Sequence, residues 1–157
     1  MCKTLHIDWT KCTGCGTCTD ICSASAVGGF AEDASRIRIL RDEPRAAFVP
    51  RVCLQCEQHP CVSACPVNAI QWKERPLLVT VLESACTGCG SCAAVCPFDG
   101  VTISHGKALI CNLCGGDPAC AKACFSGALQ WGEGRMSSML LEKNENRVAE
   151  LRRRKGE

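Results

Sequence analysis

Sixteen of the seventeen cysteines fall into four tight runs. The runs are Cys12, Cys15, Cys18, Cys22; Cys53, Cys56, Cys61, Cys65; Cys86, Cys89, Cys92, Cys96; and Cys111, Cys114, Cys120, Cys124. Three closely spaced thiolates suit three irons of one iron–sulfur cube, and a fourth thiolate one helical step further on normally reaches a neighbouring cube. Sixteen thiolates at four per cube give an expectation of four 4Fe–4S clusters. The chemistry this implies is the uptake and release of single electrons.

Glycines make such loops possible, because they accept positive φ and let the backbone approach a cluster closely. Gly14 and Gly16, Gly88 and Gly90, and Gly115 and Gly116 stand at these places. Two runs end in Cys-Pro, at Cys65-Pro66 and Cys96-Pro97. That resembles the bacterial ferredoxin signature, in which the last cysteine serves the other cluster. The first run ends Cys22-Ser23 and the fourth Cys124-Phe125. The bland alternative for Cys-x2-Cys pairs is zinc, which wants two pairs closed around one tetrahedral ion. Every run here instead adds a fourth cysteine after three residues. A disulfide scaffold is a second alternative, opposed by the ligand-like spacing and by the reducing compartment expected below. Cys2 is left over and reads as an unligated thiol. His6, His59 and His105 read as surface or loop residues, and Trp9, Trp72 and Trp131 as packing near the clusters.

Short β-branched or apolar segments flank the runs and read as strands. They are 5–8 before the first run, 48–52 and 69–72 around the second, 78–82 and 100–103 around the third, and 107–110 and 127–131 around the fourth. Residues 36–40 alternate and read as an extra strand, and 19–24 as a helical turn. The runs are separated by 30, 20 and 14 residues, so the second and third form the most compact pair. The expected fold is α+β, with two nested bacterial-ferredoxin-like units of short strands and helices. Residues 1–132 form the cluster-bearing domain, in which an inner unit at 52–104 sits within an outer unit of 1–51 and 105–132. Residues 133–157 form a tail, where Met136, Leu140, Val148 and Leu151 can share one stripe of an amphipathic helix. That tail reads either as a fraying solvated helix or as a docking arm for another subunit or a second copy.

The chain has 157 residues, with four Phe, three Trp and no Tyr. With so few large core builders, the clusters themselves are expected to serve as core. Residues 1–127 hold 11 basic and 11 acidic side chains, so the formal charge of +2 comes from the tail, with 7 and 5. Nothing resembles a nucleic-acid footprint. No apolar stretch reaches membrane-spanning length. The first residues carry neither a hydrophobic leader nor paired arginines, which reads as cytoplasmic.

The sixteen-cysteine pattern resembles the four-cluster electron-transfer subunits that accompany molybdenum and tungsten pterin oxidoreductases, a group that also serves some hydrogenases and carbon monoxide dehydrogenases. The resemblance covers residues 1 to 132. The short body and Gly115-Gly116-Asp117-Pro118-Ala119-Cys120 look most like the small subunit beside tungsten aldehyde oxidoreductases. The resemblance implies one cluster on Cys12, Cys15, Cys18 and Cys124, and a second on Cys22, Cys111, Cys114 and Cys120. It implies a third on Cys53, Cys56, Cys61 and Cys96, and a fourth on Cys65, Cys86, Cys89 and Cys92. Sequential pairing, first run with second and third with fourth, is the rival. Some of these subunits replace a cysteine by tryptophan and hold a 3Fe cluster; no such replacement occurs here. The implied role is a non-catalytic wire between a catalytic subunit, of tungsten or molybdenum type, and a flavin subunit, ferredoxin or other carrier. A hydrogenase or carbon monoxide dehydrogenase relay, a free polyferredoxin and a zinc-stapled interaction module remain the alternatives.

Overall fold

The computed structural model describes residues 3–74, 77–134 and 138–155. The chain runs β1 (Lys3–Ile7), α1 (Thr17–Val27), β2 (Arg38–Asp42), β3 (Ala47–Arg51), α2 (Pro60–Ser63) and β4 (Ile70–Lys73). It continues β5 (Leu78–Val81), α3 (Ser91–Ala94), β6 (Val101–Ser104), β7 (Lys107–Ile110), α4 (Ala119–Ala123), β8 (Leu129–Glu133) and α5 (Ser138–Lys155). The result is a mixed α+β, ferredoxin-like dicluster fold of short strand pairs and short helices with a C-terminal helix.

The strands form four antiparallel pairs. Three are hairpins: β2–β3, β4–β5 and β6–β7. The fourth joins the two ends of the cysteine-bearing region, pairing Lys3 with Glu133 through to Ile7 with Leu129. The helices follow the same plan: α1 packs on α4, and α2 on α3. Each of these four helices begins within or just before the second half of a cysteine run, so helix packing carries the runs toward one another.

Local chemistry sets the element ends. The extra strand begins at Arg38 rather than Arg36. The Arg36 N–H donates to Cys22 Sγ at 3.4 Å and the Ile37 N–H to Ser35 Oγ at 3.4 Å, so neither is available to a ladder. The helical turn at 19–24 is part of a longer helix. It closes where Gly28 adopts φ +72° and its N–H donates to Ala24 O at 2.9 Å, a left-handed glycine stop.

Eight cysteines are buried in the main core, among Leu5, Ile7, Ile37, Ile70, Val79 and their neighbours. A second, smaller core corrects the expectation for the tail. Val148 and Leu151 of α5 are buried against Leu40 and Val49 of the β2–β3 hairpin, with Trp9 at its border. Half of the expected stripe is therefore spent inside the chain. Met136 lies outside the described residues, as does Cys2. Charge fixes the same docking: Arg147 and Arg154 meet Asp42 at 3.7 and 3.3 Å, and Arg152 meets Asp99 at 2.6 Å. The Arg147 guanidinium lies 5.2 Å from the Trp9 ring centre. The Asn144 side chain donates to Ile7 O at 3.2 Å. The helix thus rests on its own body, because hairpin, β1 and α5 supply matching apolar and ionic surfaces.

Candidate metal centres

In each run the first cysteines sit on a loop and the later ones on or beside a short helix. In the third run Gly88 holds φ +68°. A Cβ there would collide with the Gly106 backbone, so only glycine lets the loop lie against the β6–β7 turn. Gly14 holds φ +70° in the first run, and a Cβ would fall 2.5 Å from the Phe48 ring. The second run reaches positive φ at a non-glycine, Gln55 (φ +52°), and the fourth does so at Leu113 (φ +55°) ahead of Gly115 (φ +68°) and Gly116 (φ +102°). Sequence reading missed Gln55 and Leu113. Gln55 is 2 % exposed and both ends of its amide are used. Its Nε2 donates to Cys111 O at 2.7 Å, and its Oε1 accepts from the Val79 N–H at 2.6 Å. It ties the second run to the start of the fourth. Gln55→Leu leaves a buried N–H and a buried carbonyl unpaired, at about 1–3 kcal/mol each. A lowered denaturation midpoint with unchanged iron content is the expected result.

Backbone N–H groups point at the sulfurs. The last cysteine of every run accepts one: Cys22 from Arg36 at 3.4 Å, Cys65 from Ala69 at 3.2 Å, Cys96 from Gly100 at 3.3 Å and Cys124 from Leu129 at 3.4 Å. Cys86 and Cys111 accept from Ala108 and Leu113, each at 3.4 Å. Such bonds favour the anionic form of sulfur, which is the ligand form.

The structure draws cysteines of different runs together. One cavity of about 170 Å³ is lined by Cys22, Cys111, Cys114 and Cys120, and a smaller one by Cys65, Cys86, Cys89 and Cys92. Burial pushes the Cys120 thiol up to about 12, and the neighbouring Cys111, Cys22 and Cys114 add to the effect. Burial likewise pushes Cys18 up to about 12, with help from Cys12, Cys15 and Cys124. Cys61 rises to about 11 through burial, then through Cys56 and Cys96. Cys53, fully buried, is raised well above its ordinary range by desolvation, and Cys111, Cys96 and Cys61 add to it. Crowded buried thiols of this kind ionise only when a cation is there to receive them.

These neighbours also link the groups in a row. Cys120 feels Cys18, Cys53 feels Cys111, and Cys61 feels Cys92. The row reaches the surface at Cys15 and Cys89 in its outer groups and at Cys114 in an inner one. The Thr17 hydroxyl and N–H hold Cys15 below its ordinary value, and the Ser91 hydroxyl and N–H do the same for Cys89.

The donor set fits iron–sulfur cubes. A cube takes one sulfur per iron, so its ligands stand around a volume, as they do around the two cavities. Among the described residues, no three Cys, His, Asp or Glu side chains gather about a single-ion point. The histidines are engaged elsewhere. His6 meets Gly134 O at 3.2 Å, His59 stacks on Trp72 with ring centres 3.7 Å apart, and His105 meets Asp33 at 2.5 Å. Trp72 and Trp131 pack against the cysteine-bearing core, whereas Trp9 lies under α5.

Comparison with known proteins agrees with the chemistry. Residues 11–69 match the 4Fe-4S dicluster domain, and residues 52–107 the LdpA Fe-S cluster-binding domain. The thiosulfate reductase electron transfer subunit PhsB of Salmonella typhi is 34% identical over 145 residues, covering 82% of this chain and 73% of PhsB. The chain belongs to the 4Fe–4S polyferredoxin-like electron-transfer proteins. The polyferredoxin-like subunit of the aliphatic sulfonate oxidoreductase of Pyrococcus furiosus is 42% identical over 116 residues, 73% of this chain and 66% of that relative. This polyferredoxin-like chain therefore spans just under two thirds of that relative's length. Among solved structures, a chain of the active site complex BamBC of benzoyl coenzyme A reductase with benzoyl-CoA is similar. It has a TM-score of 0.51 and 27% identity, covering 94% of this chain and 89% of that one. The polyferredoxin-like chain carries sixteen cysteines in ligand-like spacing, consistent with four 4Fe–4S clusters rather than zinc.

Proposed function

We propose that this chain is the electron relay of an oxidoreductase complex. Single electrons pass along four clusters between a catalytic subunit and a second carrier. The observation that carries the reading is the row of thiol groups, which reaches the surface at Cys15, Cys89 and Cys114. A wire needs a contact at both ends and continuity between them.

The ligand sets of the proposal are the nested ones, with an inner unit at 52–104 inside an outer unit. Cys12, Cys15, Cys18 and Cys124 hold the first cluster, and Cys22, Cys111, Cys114 and Cys120 the second. Cys53, Cys56, Cys61 and Cys96 hold the third, and Cys65, Cys86, Cys89 and Cys92 the fourth. The two lined cavities and the sulfur neighbours favour these sets. The overlapping family matches, 11–69 and 52–107, both contain the second run. They follow runs in chain order and so do not identify partners. A reducing compartment such as the cytoplasm is part of the proposal, because thiolate ligands must escape oxidation.

The catalytic companion is a tungsten or molybdenum pterin subunit that oxidises an aldehyde. The support is the sixteen-cysteine pattern and the Gly115–Cys120 stretch described above. The test is anaerobic affinity purification of the full chain, with metal analysis of what accompanies it. About sixteen irons and sixteen sulfides per chain, with a tungsten- or molybdenum-bearing companion, sustain the reading. A nickel-bearing companion transfers the relay to a hydrogenase or carbon monoxide dehydrogenase. A chain recovered alone is a free polyferredoxin.

A further inference from the structure

Four backbone donors reach the last cysteine of the four runs, and they are not alike. Three belong to Ala69, Gly100 and Leu129, each four or five residues beyond its cysteine. The fourth belongs to Arg36, fourteen residues beyond Cys22. The intervening segment folds back on itself. Ser23 Oγ donates to Gly29 O at 2.9 Å and accepts from the Ala31 N–H at 2.6 Å, and Ser35 Oγ donates to Ile37 O at 2.7 Å. Both serines are buried, at 2 % and 1 % exposure. The loop is thus a built structure that delivers an arginine where the other runs place alanine, glycine or leucine.

Arg36 lines the cavity shared by Cys22, Cys111, Cys114 and Cys120. Cysteines apart, it is the one ionisable residue among the described residues of that lining, the rest being Ser25, Ala26, Ile37, Val52, Asn112 and Pro118. The cavity of Cys65, Cys86, Cys89 and Cys92 is lined, apart from its cysteines, by apolar residues, glycine and Thr87. We infer that Arg36 sets the reduction potential of the cluster held by Cys22, Cys111, Cys114 and Cys120, raising it and making that position a resting place for an electron.

One-electron reduction adds one negative charge to a cluster. A cation lining the cavity stabilises the reduced form more than the oxidised one, and a half-buried setting limits the screening of that charge. Lys107, next to Ala108 in sequence but outside the other cavity's lining, is engaged differently. Its ammonium donates to Glu83 O at 2.8 Å and Cys86 O at 2.7 Å. The inference rests on the relay reading for its ligand set, but not on any companion.

The experiment is an EPR-monitored redox titration of the purified full-length holo chain. Arg36→Gln is expected to lower one midpoint and leave three in place, Arg36→Glu to lower the same one further, and Arg36→Lys to restore most of it. The midpoint that moves must be the one Cys120→Ser abolishes. Lys107→Gln must leave that midpoint in place. Four unchanged midpoints in Arg36→Glu at full iron content overturn the inference. So does a shift in a cluster that survives Cys120→Ser. If Arg36→Glu loses iron, the Gln and Lys variants decide, and equal midpoints in those two overturn it. Absence of a companion would end the complex reading while leaving these midpoints as measured.

Discussion

Stripping the iron from this chain is expected to abolish its cooperative unfolding transition. Eight cysteines lie in the main core, and the residues between them are mostly small or medium aliphatics. Without metal the same core holds protonated, crowded thiols. Those at Cys18, Cys111 and Cys120 are pushed up to about 12, chiefly by burial. The metal supplies what the aliphatics do not, a dense filling for each cavity and a partner for each buried sulfur. Where no site survives in the unfolded chain, the free energy of binding is free energy of folding. The α5–hairpin core of Leu40, Val49, Val148 and Leu151 is too small to fold alone. Circular dichroism settles the point, comparing anaerobic holo chain with chelator-treated chain under reductant. The holo form should melt in one sharp step and the apo form should show a sloping baseline. A sharp apo transition with retained strand signal would refute the prediction.

The second large effect is expected from Cys124→Ser. Cys124 closes the fourth run, yet its charge acts on Cys12 and Cys18 of the first. The α1–α4 packing and the β1–β8 ladder hold the two runs side by side. Under nested ligand sets the substitution damages the cluster of Cys12, Cys15 and Cys18 and spares the three others. Iron then falls from about sixteen to about twelve per chain, or to about fifteen if a three-iron centre survives there. Sequential sets predict instead that the cluster of the third run suffers. Paired Cys15→Ser and Cys124→Ser samples separate the two. Under nesting both lose the same EPR signal, and under the rival they lose different ones.

Much of this was legible in the residues because ligand spacing is local chemistry. The strand leads at 5–8, 48–52, 78–82 and 107–110 all lie on observed strands, since a β-branched run between a turn and a ligand loop has few other options. What stayed hidden depends on meetings between distant segments. Gln55 reads as an ordinary loop glutamine until Val79 and Cys111 are seen at its two ends. Arg36 reads as one member of an alternating strand until Cys22 claims its N–H. The stripe of α5 was visible in Val148 and Leu151, but its cover was not. Leu40 and Val49 sit in a hairpin about a hundred residues earlier, and no local pattern announces that Asp42 and Asp99 await arginines from the tail.

The ladder between β1 and β8 pairs Lys3 with Glu133, so the earliest strand has no mate until the cysteine-bearing region is nearly complete. The hairpins β4–β5 and β6–β7 close over short stretches in the middle. On the ribosome the β2–β3, β4–β5 and β6–β7 hairpins can therefore close in turn as they emerge, whereas β1 waits for nearly the whole cysteine-bearing region before its mate arrives.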